Sequence, residues 1–353
     1  MKHLLLAAAM TAMLLTGCLG GDSTGPSPEA IDGWIVGESS AGAMTILHTL
    51  DGSDWSAQGE SLSISGAELS SVSTVNSLTA WAAGGISEGY GVVIRTTDSG
   101  QNWQRLGDDA QLPRATLCIR ALSENVSWVG GNNNSIYRTN DGGSTWTDVS
   151  DQAYNGNFWQ GIYPLSNSDI WVCGGTENDG LILHSTDGGA SWTPHADSLL
   201  QGYTLISIAA WDQDNVWAVG HGYTIIRTTD GGTTWEIVTP DSMHASGNDA
   251  NGISLQSADD AWVVLDYGNV WRTTDGGENW TYQTVPAGTE GFFMLRISAL
   301  DSSTAWVTGR SGYGTPEGVI IHTTDGGVTW TRQDDGNVPA LWDVSFDGEL
   351  PNN

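Results

Sequence analysis

The chain has 353 residues and carries 11 basic against 41 acidic side chains, a formal net charge of −30. Such a surface repels nucleic-acid phosphates and anionic lipid headgroups, which excludes nucleic-acid binding as a function class. Its 47 glycines and 18 tryptophans point instead to a chain of many tight turns anchored by large aromatic rings.

Met1–Cys18 reads as a leader. Lys2 and His3 form a short basic start, and the apolar run Leu4–Leu15 is too short to cross a bilayer comfortably. It ends in Leu15-Thr16-Gly17-Cys18, which looks like a bacterial lipobox. By that resemblance residues 1–17 are a signal peptide and Cys18 becomes the lipidated N-terminus, in the outer membrane because Leu19, not aspartate, follows it. Residues 18–30 are rich in Gly, Ser and Pro and are expected to form a flexible tether, with residues 31–353 as one domain. Without the leader the charge is 10 − 41 = −31.

From Ile31 onward two signals alternate. The first is a short apolar run with Trp followed three residues later by Gly, at Trp34, Trp81, Trp128, Trp171, Trp217 and Trp306; at Trp262 the glycine is replaced by Leu265. The second is RTTDGGTTW at Arg227–Trp235, with near-copies at Arg95–Trp103, Arg138–Trp146, His184–Trp192, Arg272–Trp280 and His322–Trp330, and a shortened one at His48–Trp55. Its β-branched threonines end a strand, its aspartate accepts from backbone N–H groups just ahead, and its glycines supply positive φ. Its tryptophan pins the returning strand. Box aspartates Asp51, Asp98, Asp141, Asp187, Asp230, Asp275 and Asp325 recur every 43 to 50 residues.

Each unit therefore holds four short antiparallel strands, and seven units predict an all-β, seven-bladed β-propeller. The first unit starts at its Trp-strand, Gly33–Val36, with no strand ahead of it, and Ala340–Phe346 is a strand with no unit behind it. Pairing the two closes the ring and removes the exposed edges. Fourteen of the 18 tryptophans occupy the two repeated positions and Trp271 replaces an aliphatic strand residue, which leaves Trp159, Trp211 and Trp342 outside the pattern. Cys118 and Cys173 fall at different places in different units and are expected to be unpaired and buried.

The pattern Ser/Thr-x-Asp-x-Gly-x-x-Trp resembles the Asp-box of BNR-repeat proteins, where it is a folding device shared by enzymes and non-enzymes. The sialidases among them imply an arginine triad, a Tyr/Glu pair and an Arg-Ile-Pro motif, which this chain lacks. Four of its arginines and three of its histidines fill the repeated position ahead of the box, and Arg105, Arg114, Arg120, Arg296, Arg310 and Arg332 form no evident group. Paired carboxylates for another glycosidase cannot be selected among 41 acids. No phosphate loop, metal cluster or nucleophile elbow is present, so no cofactor and no metal are expected.

Over Ile31–Phe346 the units, W-x-V-G followed by T-x-D-G-G-x-T-W, resemble the photosystem II assembly/stability-factor family. That resemblance implies a seven-bladed scaffold for other proteins at a membrane, not an enzyme. The arginine patch of its photosynthetic members is not reproduced. The expectation is a monomeric lipoprotein of the cell envelope that binds an envelope protein or surface polymer and meets the membrane only through its lipid; a glycan-active or glycan-binding propeller is the alternative. Binding is expected on the face formed by the loops Arg105–Thr116, Asp148–Trp159, Asp197–Thr204, Pro240–Gly252, Pro286–Phe293 and Gln333–Leu341. The candidate residues are Trp159, Arg296, Trp342 and Asp343 on the strands nearest the channel, with inter-blade packing the alternative for the two tryptophans.

Overall fold

Alternating apolar and polar runs separated by Gly-Asp turns cannot build helices, and the strands pair with their nearest neighbours in sequence. A computed structural model describes residues 31–348 apart from 41, 60, 61, 63, 197–198, 242, 244–247 and 313–316, so Cys18 and the tether lie outside the described residues. Blade 1 consists of β1 (Gly33–Ser40), β2 (Ala43–Thr49) and β3 (Ser56–Ala57), completed by the last strand of the chain. Blade 2 is β4 (Ala67–Asn76), β5 (Thr79–Ile86), β6 (Gly91–Thr96) and β7 (Gln104–Leu106). Blade 3 is β8 (Thr116–Ala121), β9 (Ser127–Gly131), β10 (Ile136–Thr139) and β11 (Thr147–Asp148). Blade 4 is β12 (Phe158–Pro164), β13 (Ile170–Gly175), β14 (Gly180–Ser185) and β15 (Thr193–His195). Blade 5 is β16 (Leu205–Ala210), β17 (Val216–Gly220), β18 (Thr224–Thr228) and β19 (Glu236–Ile237). Blade 6 is β20 (Ala250–Leu255), β21 (Ala261–Leu265), β22 (Asn269–Thr273) and β23 (Thr281–Gln283). Blade 7 is β24 (Phe292–Ala299), β25 (Ala305–Ser311), β26 (Gly318–Thr323) and β27 (Thr331–Arg332), and β28 (Leu341–Phe346) returns to blade 1.

The closure is as the sequence predicts. β28 pairs antiparallel with β1, Gly33 opposite Phe346 and Ile35 opposite Val344. Gly33 must be glycine, because a Cβ there would lie 2.1 Å from the Phe346 ring. The glycine three residues after each strand-2 tryptophan has a comparable cause. Each inner strand carries a bulge opposite it, and its carbonyl presses on that glycine: a Cβ on Gly84 or Gly174 would sit 1.8 Å from Glu68 O or Phe158 O. In blade 6 the bulge places Gly252 on the inner strand, and Leu265 takes the outer position.

The Asp-box works as the sequence suggests and does more. In each copy a Thr or Ser at the strand end donates its hydroxyl to the aspartate and accepts the N–H of a glycine in the turn that follows. In blade 5 Thr228 Oγ1 lies 2.8 Å from Asp230 Oδ1, and Gly232 N 2.9 Å from Thr228 Oγ1. Asp230 also accepts from Thr234 N at 2.8 Å and from Thr234 Oγ1 at 2.7 Å. Those bonds hold the carboxyl below its usual range, the Thr234 N–H first among them. Asp51, served first by Asp54 N–H, is lowered to about 2.

The hairpin so formed clamps the neighbouring blade. Box tryptophans meet the strand-2 tryptophan of the preceding blade edge to face, as in Trp34–Trp103 at 5.2 Å and Trp262–Trp330 at 5.8 Å. A Cβ on Gly100 would lie 2.4 Å from the Trp34 ring, so this glycine serves close packing as well as positive φ. The other face of each strand-2 ring carries the residue ahead of the box. His48 stacks on Trp34 and His184 on Trp171, both at 3.8 Å, and the Arg272 guanidinium lies 4.4 Å from Trp262. Every strand-2 tryptophan is 0–1 % exposed. Each such ring withdraws about 200 Å² from water, or about 5 kcal/mol as an upper bound.

Candidate functional site

Strand direction sorts the loops. The turns from strand 1 to strand 2 and from strand 3 to strand 4, with the Asp-boxes, share one face; Gly231 N donates to Asp214 O across that pair of turns at 3.1 Å. Connections from strand 4 into the next inner strand, and from strand 2 to strand 3, form the opposite loop face. Residues 197–198, 242 and 244–247 of the predicted loops lie outside the described residues.

On the axis, all seven inner strands line one cavity with Ser71, Arg120, Gln160, Ser207, Arg296 and Asp343 among its walls. Its volume of about 30 Å³ suits one or two waters, not a sugar ring or a peptide. Arg296 and Asp343 do come together there, with Arg296 Nε 3.9 Å from Asp343 Oδ1. Both act as struts between blades. Asp343 Oδ2 accepts from Ser71 Oγ at 2.8 Å and Val72 N at 2.9 Å, tying the closing strand to blade 2. Arg296 Nη1 donates to Asn251 O at 2.7 Å and Leu295 O at 2.8 Å. Hydroxyls continue these ties: Ile119 N donates to Ser71 Oγ, Ala121 N to Ser73 Oγ and Ala299 N to Ser254 Oγ.

Trp159 is a correction. It is fully buried and its Nε1 donates to Asn134 Oδ1 at 3.1 Å, so it fills the seam between blades 3 and 4 and presents nothing to a ligand. Its place at the head of an inner strand put its backbone near the loop face while its ring turned inward. Cys118 and Cys173 are free and buried, and burial pushes the Cys118 thiol up to about 12.

Trp342 lies elsewhere. It is half-buried at the loop-face end of β28, and the Arg310 guanidinium lies 5.4 Å from its ring and 5.2 Å from that of Phe293. Tyr267, 45 % exposed on the blade 6 loop, tilts against Phe293 at 5.4 Å. Blades 6, 7 and 1 thus build a cluster of three rings, two of them against one cation. Arg310 Nε has no hydrogen-bond partner, and no carboxylate lies within ion-pair distance of Arg310 among the described residues. Arg332 nearby contrasts, held by Asp334 and Glu317 at 2.6 and 2.7 Å. Sequence reading missed Arg310, Phe293 and Tyr267, although a signal existed. The residue after the W-x-x-G run is Glu38, Gly85, Asn132, Gly175, His221 or Asp266 in the other blades, and only blade 7 places a cation there.

A second group on this face holds carboxylates. Asp249 N donates to Asp266 Oδ2 at 3.3 Å, Asn251 Nδ2 to Asp266 Oδ1 at 2.8 Å, and His221 Nδ1 lies 3.6 Å from Asp249 Oδ2. Burial raises the Asp266 carboxyl above its usual range, and the Asp249 charge adds to that rise. Among the described residues no group of three or more His, Cys, Asp or Glu side chains is arranged to hold a metal ion. The box aspartates, with their oxygens engaged inside their own turns, belong to the fold.

The model of a family described as photosynthesis system II assembly factor YCF48 matches residues 27–160, 123–198 and 245–339. A solved structure of YCF48 bound to a D1 peptide is similar with a TM-score of 0.63 at 18 % identity, covering 85 % of this chain and 93 % of that one. YCF48 from Cyanidioschyzon merolae is similar with a TM-score of 0.60 at 20 % identity, covering 85 % of this chain and 97 % of that one. A GH74 xyloglucanase from Xanthomonas campestris reaches 0.63 at 16 % identity, covering 87 % of this chain and 55 % of that one. At these identities the likenesses speak for the fold alone. No curated protein matches.

Proposed function

The chain belongs to the photosynthesis system II assembly factor YCF48 family, and from that premise we propose that it is a protein-binding assembly scaffold of the cell envelope, tethered through a lipidated Cys18 and without chemistry of its own. Its partner docks on the loop face at the Tyr267–Phe293–Arg310–Trp342 cluster. The observation that carries this reading is Arg310. On a chain with 41 acids, one guanidinium sits between two aromatic rings with no carboxylate beside it among the described residues. Rings flanking a guanidinium fix its plane and leave its outer N–H edge for a planar acceptor. The half-buried rings add the apolar area on which protein interfaces concentrate their binding energy. A relative in the family, YCF48, is described bound to a D1 peptide, which supports a peptide as the kind of ligand. A photosystem partner is not carried over, because the sequence does not reproduce the arginine patch of the photosynthetic members.

The test is crosslinking of the full chain in its native envelope, with and without Arg310→Ala and Trp342→Ala. Capture of a protein that both substitutions abolish is expected. A second reading, glycan hydrolysis, draws on the neighbouring Asp249 and Asp266, since glycosidases work with two carboxyls of which one is raised, as burial raises that of Asp266. A glycan-hydrolysis screen belongs beside the crosslinking, and turnover abolished by Asp266→Asn would replace the scaffold reading.

A further inference from the structure

Three positions on the Asp-box face depart from the repeat. The residue ahead of the box aspartate is Thr or Asn in six copies, as in Thr97, Asn140 and Thr229, but it is Leu50 in blade 1. Three residues before the strand-2 tryptophan, blades 3 to 7 carry Asn125, Ser168, Asp214, Asp259 and Ser303, whereas blade 1 carries the half-buried Ile31 and blade 2 the exposed Leu78. Three residues after the box aspartate, blades 2 to 6 carry Gln101, Ser144, Ala190, Thr233 and Glu278, whereas blade 7 carries Val328. The three exposed exceptions sit on consecutive blades 7, 1 and 2 and are 78 %, 58 % and 53 % exposed for Val328, Leu50 and Leu78. One exposed aliphatic residue needs no explanation; three on neighbouring blades, each where the repeat is polar or small, mark a surface. Trp211 on blade 5 is different, since its position is aliphatic in other blades too, as in Val75, Leu122 and Leu165.

The chain enters the ring inside this arc. Ile31 bridges Asp51, the residue after Leu50, and the far end of the ring returns to the same place, with Asp347 N donating to Asp32 O at 3.0 Å. Cys18 lies 31 − 18 = 13 residues ahead of Ile31. Thirteen residues reach about 40 Å at most, fully extended. A lipid on Cys18 would therefore keep this arc, rather than the loop face, near the bilayer.

We propose that the Asp-box face of blades 7, 1 and 2 lies against the lipid surface, with Leu50, Leu78 and Val328 dipping into the boundary between headgroups and acyl chains. The proposal rests on the lipid-anchor reading given above. Charge selects the occupant. A second copy would bring two bodies of about −30 together, whereas a zwitterionic lipid surface carries no net charge to oppose Asp51, Asp98 and Asp325 beside the patch. The loop face, with Arg310 and Trp342, is then turned toward soluble or membrane-projecting partners.

The experiment uses the full chain, isolated with its own N-terminal modification and reconstituted in phosphatidylcholine vesicles. Nitroxide labels are placed through Leu50→Cys, Leu78→Cys and Val328→Cys, with Tyr203→Cys on the loop face as control. The buried Cys118 and Cys173 thiols stay unlabelled. Expected is preferential relaxation of the first three labels by a lipid-soluble quencher, severalfold over the control, weakened when phosphatidylglycerol is added. Equal access of a water-soluble quencher to all four labels overturns the proposal, and so does broadening between labels at 50 and 328 of separate copies, which would assign the patch to self-association. Mass spectrometry of the N-terminus judges the anchor separately. If Cys18 proves unmodified, the patch is read by partition of the unlipidated chain onto the same vesicles. A fall of about tenfold in Leu50→Ser/Leu78→Ser/Val328→Thr then supports the proposal, and no partition of the parent chain refutes it.

Discussion

Replacing Thr228 by Val keeps the side-chain shape and deletes one oxygen. That oxygen donates to Asp230 Oδ1 at 2.8 Å and accepts the Gly232 N–H at 2.9 Å, in a spot where Thr228 is 1 % exposed. Losing the acceptor leaves a buried N–H without a partner, which costs about 1–3 kcal/mol. Losing the bond to a carboxylate adds about 1–2 kcal/mol, and the new methyl offsets a little under 1 kcal/mol. The net expectation is about 2–3 kcal/mol. Thr229→Val, one residue on and exposed, is the control and should stay within about 0.5 kcal/mol. Urea unfolding followed by tryptophan fluorescence reads both; with a slope near 3 kcal/mol/M, Thr228→Val shifts the midpoint by about 1 M and Thr229→Val hardly at all. Equal shifts for the two, or no shift for either, would refute the claim that the hydroxyl is the hinge of the box.

Deleting Leu341–Phe346 removes the strand that pairs with β1 and the Asp343 tie to blade 2, so thermal unfolding should become broad and begin well below that of the full chain; an unchanged melt contradicts ring closure as a source of stability. His322, held below its usual titration range by burial against Trp306, stays neutral in the fold. Its unfolded form takes up the proton first, so stability present above about pH 6.5 falls as pH drops toward the folded value, and His322→Phe should flatten that part of a stability–pH curve. Gly327→Ala forces a Cβ to 3.0 Å from the Trp262 ring at φ +85° and should cost about 2–4 kcal/mol by urea unfolding. Trp159→Ala should lower the melting temperature sharply, whereas Trp342→Ala should leave it nearly unchanged and lower partner capture instead.

The repeat was legible because each of its residues has a local duty. Asp230 folds its own turn, Gly232 needs positive φ, and Trp235 opens a strand; seven copies then count the blades. The missing first strand ahead of Gly33 also told where the ring closes, since unpaired edges are costly. Other duties could not be read from one unit. Gly100 is glycine because a tryptophan of the preceding blade occupies its Cβ position, and that ring is 66 residues earlier in the chain, 100 − 34. The candidate site was legible only in part for the same reason. Trp342 was singled out as a tryptophan outside the repeat, but its partners Phe293 and Arg310 come from other strands and its neighbour Tyr267 from another blade. Arg296 and Asp343 carried charges that looked available until the inner strands brought backbone donors and acceptors around them. Ring direction decided Trp159, and a one-dimensional pattern carries no ring direction at the start of a strand.

The meeting of Asp347 N with Asp32 O makes the ring nearly endless. With its two ends one hydrogen bond apart, the ring can be sealed there by a short linker and cut open in another Asp-box turn, giving a permuted chain with the same blades. Such a molecule would carry its termini under a different blade while every loop on the opposite face stays uninterrupted. The position of the opening is therefore a rotational setting: it fixes under which blade the chain enters and leaves the ring without altering what the other side displays.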